Sequence, residues 1–212
     1  MIFLVATSNV DKVKEFQRIL GPLGIEFKTA SELGIELPDV EENGSTFIEN
    51  AFIKARSGAE VSGYPTLADD SGICVDALGG APGIYSARYS EDEALARIDK
   101  NAANNAKMLR ELGDTPLEKR TCHYTCAIAC VFPDGREVSC EEYCYGHIGF
   151  KTIGSFGFGY DPLVLINVEA GAKTGAEPGK LTFGEIPPDI KDTVSHRSKA
   201  LHKMAELLKD EI

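Results

Sequence analysis

The stretch IFLVATSNVDKVKEFQRILGPLG, residues 2–24, changes its hydrophobic period once, at the three small polar residues Thr7, Ser8 and Asn9. Before them the run is continuously apolar, as in a buried strand. After them Val13, Phe16, Ile19, Leu20 and Leu23 recur at helical spacing, and Gly21-Pro22 stops the pattern. A strand feeding a helix through a short turn is the opening unit of an α/β fold. The turn also has chemical meaning, because a helix N-terminus offers unpaired N–H groups and a partial positive charge. With Lys12 one turn on, Thr7, Ser8 and Asn9 form a candidate anion site; ordinary N-capping is the competing reading.

Outward from this unit the elements follow in order. Thr46-Phe47-Ile48-Glu49 is a capping box opening a helix whose buried stripe is Phe47, Ala51 and Ala55. Lys54 lies beside that stripe, placed either to enter a cleft or to snorkel. TLADDSGICVDAL, residues 66–78, reads as a strand interrupted or ended by Asp69-Asp70, and GGAPGIYSARY, residues 79–89, as loop. Residues 91–112 return to helix. CHYTCAIACVF and REVSCEEYCYG are two strands joined at Pro133-Asp134-Gly135, a hairpin signal. SFGFGYDP, residues 155–162, is a glycine-rich loop, 163–166 a short strand and 167–180 a Gly-rich excursion. The last element is an amphipathic helix with Ser195 as its N-cap.

Bulk composition narrows the class. With 212 residues, 43% hydrophobic and 26% charged, the chain suits a single globular α/β domain, 1–212, which can have two lobes. A net charge of −11 argues against non-specific nucleic-acid binding, which needs basic residues to displace counterions. A small phosphorylated ligand remains compatible, given local lysines or a divalent cation. No run of about 18 apolar residues marks a membrane span, and no basic residue leads the N-terminal apolar run as in a signal peptide. Cys122, Cys126 and Cys130 share one strand face about 13 Å apart by the strand rise, beyond disulfide reach. All six cysteines therefore read as small hydrophobes of a reducing cytoplasm.

The polar clusters point to phosphate chemistry. Glu41 and Glu42, with Asp69 and Asp70, offer the hard carboxylate oxygens that Mg²⁺ uses when it bridges a protein to substrate phosphates; a plain turn explains Asp69-Asp70 equally well. Phe156, Phe158 and Tyr160, spaced by glycines, can stack on a base, and Asp161 can accept base N–H donors; alternatively the aromatics pin the loop to the core. His196 and Arg197 open a helix where cations oppose the dipole, a locally unfavourable choice that suggests a ligand.

ATSNVDKVKEF, ENGSTFIENAFIKA, ADDSGICVDALGGAPGIYSARY, FGFGYDP and SHRSKAL occur in an order and spacing that resembles the inosine triphosphate pyrophosphatase family. The resemblance implies an elongated mixed β-sheet flanked by helices, in two lobes with a cleft between them, a homodimer and Mg²⁺ dependence. It implies cleavage between the α and β phosphates of ITP, dITP or XTP. By position, Thr7, Ser8, Asn9 and Lys12 would hold triphosphate and Lys54 would neutralise it. Asp70 would be the metal-linked general base with Ser71 beside the substrate, and Glu41 or Glu42 would support the metal. Phe158, Gly159, Tyr160 and Asp161 would form the base pocket, closed by Lys191, His196 and Arg197. Alternatives are a pyrophosphatase for other modified nucleotides and a nucleotide-binding sensor without catalysis.

Overall fold

The structure, a computed structural model, describes residues 1–212 except Ser8, Ile25, Asp210 and Ile212, and except the side chains of Leu23 and Ala94. The expected opening unit is present as β1 (Ile2–Val5) and α1 (Val10–Leu20). They are followed by β2 (Glu26–Thr29), α2 (Ala30–Leu33), α3 (Phe47–Ser62) and β3 (Thr66–Val75). Next come α4 (Lys100–Leu112), the strands β4 (Thr121–Val131) and β5 (Glu137–Ile148), and β6 (Val164–Leu165). The chain ends in α5 (Val168–Thr174), α6 (Pro188–Lys191) and α7 (His196–Lys209).

The strands form one mixed sheet in the order β2-β1-β3-β4-β5-β6. β1 runs parallel to β2 and β3, and β5 antiparallel to β6. The expected turn between β4 and β5 is closed by Gly135 N donating to the Phe132 carbonyl at 2.9 Å.

The chain divides into two compact units. The first comprises residues 1–71, 126–142 and 196–212. Its core joins Phe3 and Val5 of β1 and Leu67 of β3 to Phe16, Ile19 and Leu20 of α1 and to Leu201, Met204 and Leu208 of α7. The second comprises residues 72–125 and 143–195, with a core built on Ile73, Val75, Met108, Ile148, Leu163 and Phe183. The six cysteines are thiols, not disulfides, and five are buried. Burial raises those of Cys130 and Cys140 to about 12, so they act as apolar side chains.

Three local expectations are corrected. Asp69 and Asp70 neither interrupt nor end β3, which continues through them to Val75. The helix expected from residue 91 begins only at Lys100, where the Asp99 carboxylate accepts from Ala102 N at 2.9 Å; before it lies a 3₁₀ turn at Ala94–Arg97. Part of the Gly-rich excursion is helical: Asn167 caps α5, and Gly175 ends it at φ 74°.

Candidate active site

Because successive residues of a strand face opposite ways, the unbroken β3 sends Asp69 and Asp70 to opposite faces of the sheet. Asp69 meets α1 and α7. Its Oδ2 receives Lys12 Nζ at 2.9 Å, Arg197 Nε at 3.3 Å and Ser71 Oγ at 3.3 Å. Arg197 also donates from Nη2 to Ser71 Oγ at 2.7 Å and from Nη1 to Glu15. Lys12 and Glu15, three apart on α1, share a helix face, so one helix supplies both a cation and an anion to the cluster. Burial opposes ionisation of Asp69, yet Lys12 and Arg197 overcome it and hold the carboxyl far below the usual carboxylate range. Burial likewise disfavours the Arg197 charge, but Asp69 and Glu15 raise its pKa beyond that of a free guanidinium.

Asp70 meets α3. Asn50 and Lys54, four apart on that helix, both reach it: Asn50 Nδ2 donates to Oδ2 at 3.2 Å and Lys54 Nζ to Oδ1 at 3.4 Å. Lys54 Nζ also donates to Glu42 Oε2 at 2.9 Å, so two carboxylates share one ammonium. Lys54 therefore enters the polar cluster instead of snorkelling. Burial raises the Asp70 pKa against the pull of Lys54 and Lys12, with the Glu42 charge adding to the rise. Burial lowers the Lys54 pKa, but Asp70, Asp69 and Glu42 together raise it above that of an ordinary lysine. A carboxylate with raised basicity beside fixed cations is suited to take a proton from water. The geometry separates the two glutamates: Glu42 joins the cluster, whereas Glu41 is exposed.

At the start of α1 the Asn9 side chain caps the helix, accepting from Asp11 N at 3.0 Å and Lys12 N at 3.2 Å, while Thr7 Oγ1 accepts from Asn9 N at 3.2 Å. Ser8 lies outside the described residues. Among the described residues there is no group of three or more His, Cys, Asp or Glu side chains arranged to hold a metal ion.

The second unit organises the aromatic loop around Asp161. Its Oδ2 accepts from Phe158 N at 2.9 Å and from Lys191 Nζ at 2.7 Å, and its Oδ1 from the Tyr124 hydroxyl at 3.3 Å. Lys191 Nζ lies 5.0 Å from the Phe158 ring centroid, in cation–π range. Asn105 of α4 donates to the Gly159 carbonyl at 3.0 Å. Phe156 is exposed and Phe158 partly so, but Tyr160 is buried and donates to the Ser86 carbonyl at 2.8 Å, pinning the loop. Gly157 sits at φ 71°, and a Cβ there would lie 2.0 Å from Asp161 Oδ2. Gly157→Ala is expected to cost about 1–3 kcal/mol in a urea titration, from the backbone conformation and the displaced carboxylate.

Of the expected residues, the first unit gathers Lys12, Lys54, Asp70, Ser71, Glu42 and Arg197, and the second gathers Phe158, Gly159, Tyr160, Asp161 and Lys191. His196 is buried in the first turn of α7. The polar partners Glu15, Asn50, Tyr124 and Asn105 were not anticipated. Only Glu15 carried a local signal, its i,i+3 spacing from Lys12.

The chain is similar to known proteins. The chain is 42% identical over 204 residues to a dITP/XTP pyrophosphatase of Geobacillus kaustophilus, covering 96% of this chain and 92% of that one. It is 38% identical over 205 residues to the dITP/XTP pyrophosphatase of Bacillus subtilis, covering 97% and 96%. Its fold is similar to that of a HAM1 protein from Coxiella burnetii, with a TM-score of 0.80 at 33% identity over 99% of both chains. A crystal structure of a nucleoside-triphosphatase, a dITP/XTP pyrophosphatase from Mycobacterium abscessus, matches with a TM-score of 0.73 at 38% identity over 96% of this chain and 98% of that one. The model of the Ham1 family spans residues 3–207, so both carboxylate clusters and the aromatic loop fall inside the match, and the chain belongs to the Ham1 family.

Proposed function

We propose that the whole chain, 1–212, acts as one pyrophosphatase domain that hydrolyses dITP, XTP and ITP to the nucleoside monophosphate and pyrophosphate. The observation that carries this reading is the Asp70 cluster, a buried carboxylate of raised basicity flanked by Lys54 and Glu42 on a strand whose preceding residue, Asp69, pairs with Lys12. The names of the Geobacillus and Bacillus relatives supply the substrate class.

In this reading Asp70 takes a proton from a water molecule as its oxygen attacks the α-phosphorus. The bond to the bridging oxygen breaks, and pyrophosphate leaves with the electron pair. Charge that builds on the phosphate oxygens is met by the ammonium groups of Lys12 and Lys54. Glu42 and Asp70 suit Mg²⁺, since they already converge on a single cation, the Lys54 ammonium. When bound, Mg²⁺ would add positive charge at the phosphate oxygens. The resemblance assigns Thr7, Ser8 and Asn9 to the triphosphate, and Ser71 to the substrate beside Asp70.

The base falls to the second unit's loop. Phe158 presents a face for stacking, with Gly159, Tyr160 and Asp161 shaping the loop around it. Lys191 would donate to a purine 6-oxo group. Adenine offers an amino group there, leaving such a donor unpaired, and a site of this kind discriminates by roughly 10⁴. A homodimer and a cytoplasmic setting complete the reading; light scattering tests the first, and five buried cysteines kept as thiols support the second. Among the described residues no helix is long and apolar enough to cross a membrane.

The deciding experiment is a nucleotide panel with Mg²⁺, assayed for pyrophosphate. Release from dITP and XTP far above that from dATP is the expected result. Preference for a modified pyrimidine would redirect the substrate class, and binding of dITP without turnover would mark a sensor. Within the panel, Asn105→Leu is expected to raise KM for dITP by about 5- to 10-fold at little change in kcat, since it removes a hydrogen bond of about 1 kcal/mol from the base loop.

A further inference from the structure

Asn50 is 1% exposed, on the face of α3 turned to the sheet, and both ends of its amide are used. Nδ2 donates to Asp70 Oδ2 at 3.2 Å, and Oδ1 accepts from Gly44 N at 2.8 Å. Gly44 belongs to the acidic segment that carries Glu42, two residues earlier. Glu42 bonds Lys54 Nζ, and Lys54 Nζ bonds Asp70 Oδ1. The connections thus close a ring through Asp70, Asn50, the 42–44 segment and Lys54. Gly44 is part of the device, because a Cβ there would stand 2.7 Å from Asn50 Oδ1 and 2.7 Å from Glu49 Cβ.

We propose that Asn50 is a positioning residue that sets the Asp70 carboxylate and the Glu42 segment against each other, so that both carboxylates present themselves to one cation. The amide suits this task. It donates to a carboxylate and accepts from a backbone N–H at once, which no carboxylate or hydrocarbon of its size can do. By occupying Oδ2 it directs Oδ1 to the Lys54 side. Partners of this kind, one step behind the groups that meet the cation, typically change metal affinity or activity by about 10- to 100-fold when removed.

The inference rests on the pyrophosphatase reading, and the test separates the two. Mn²⁺ is titrated into the nucleotide-free protein and followed by its paramagnetic resonance signal, alongside pyrophosphate release from dITP. Asn50→Leu and Gly44→Ala are each expected to weaken Mn²⁺ binding by about 10- to 100-fold and to lower kcat comparably, with KM for dITP near the wild-type value. Gly44→Ala reaches the same device through Asn50 Oδ1 with Asp70 and Asn50 themselves unsubstituted, and Asn50→Ser replaces Asn50→Leu if that variant does not fold. Folded variants that keep wild-type Mn²⁺ affinity overturn the inference, whether kcat is retained or falls only with thermal stability. A wild-type protein that binds no Mn²⁺ overturns it as well. If the wild type binds Mn²⁺, the variants lose it and no pyrophosphate is released, the positioning role stands and the pyrophosphatase reading fails.

Discussion

Asp70→Asn is expected to lower kcat for dITP by about 10²- to 10⁴-fold, the range for loss of a general base, with KM changed far less. The amide matches the carboxylate in shape and its carbonyl oxygen can still accept from Lys54, so the substitution removes the proton acceptor and, with it, the acceptor for Asn50 Nδ2. Stability supplies the control. Burial already makes the charged form of Asp70 unfavourable, so a neutral isostere there is expected to leave the urea midpoint equal to or above that of the wild type. A variant that lost activity because it had unfolded would do the opposite.

Asp69→Asn should show the reverse profile. Its carboxylate is fully buried between Lys12 and Arg197, and removing one partner of such a cluster leaves charge uncompensated at a cost of about 3–5 kcal/mol. Urea denaturation at neutral pH reads this directly. The pH dependence has a definite sign. Because the folded-state pKa of Asp69 is depressed, its stabilising contribution is present above the ordinary carboxylate pKa and is lost as the pH falls below that range toward the folded value. The difference between wild type and Asp69→Asn should therefore shrink on acidification. A gap that stayed constant with pH would mean that packing, and not charge, sets the cost.

The elements with a strong local signal were legible: β1, α1 and α3 appear where the apolar spacing put them, and the β4–β5 turn where Pro133-Asp134-Gly135 put it. The Asp pair was misread because aspartate has poor strand propensity and good turn propensity, and propensity is local. What keeps both residues in a strand is a set of cations from α1, α3 and α7, supplied by positions as far along the chain as Arg197. α5 was hidden by its glycines for a similar reason, since its cap at Asn167 and its buried Ala170 outweigh composition. Within the candidate site, Lys12 and Lys54 could be picked out because a helix start and a buried stripe give each a direction. Asn50 and Tyr124 could not. An asparagine on a helix and a tyrosine on a strand acquire meaning only when the fold brings Asp70 and Asp161 to them.

β3 pairs with β1 through Leu4 against Thr66 and Val5 against Leu67. A slip of one residue would turn every side chain of the strand to the other face. Asp69 would then look toward Asn50 and Lys54, and Asp70 toward Lys12 and Arg197. Charge balance would survive on both sides, yet the residue held ionised by its neighbours and the residue kept basic by burial would have exchanged places. Two adjacent and chemically identical amino acids thus differ in duty only through strand alignment. The tight connection that delivers Thr66 to its partner therefore governs reactivity as well as shape, and a single inserted residue between Gly63 and Thr66 is the mutation that would tell those two controls apart.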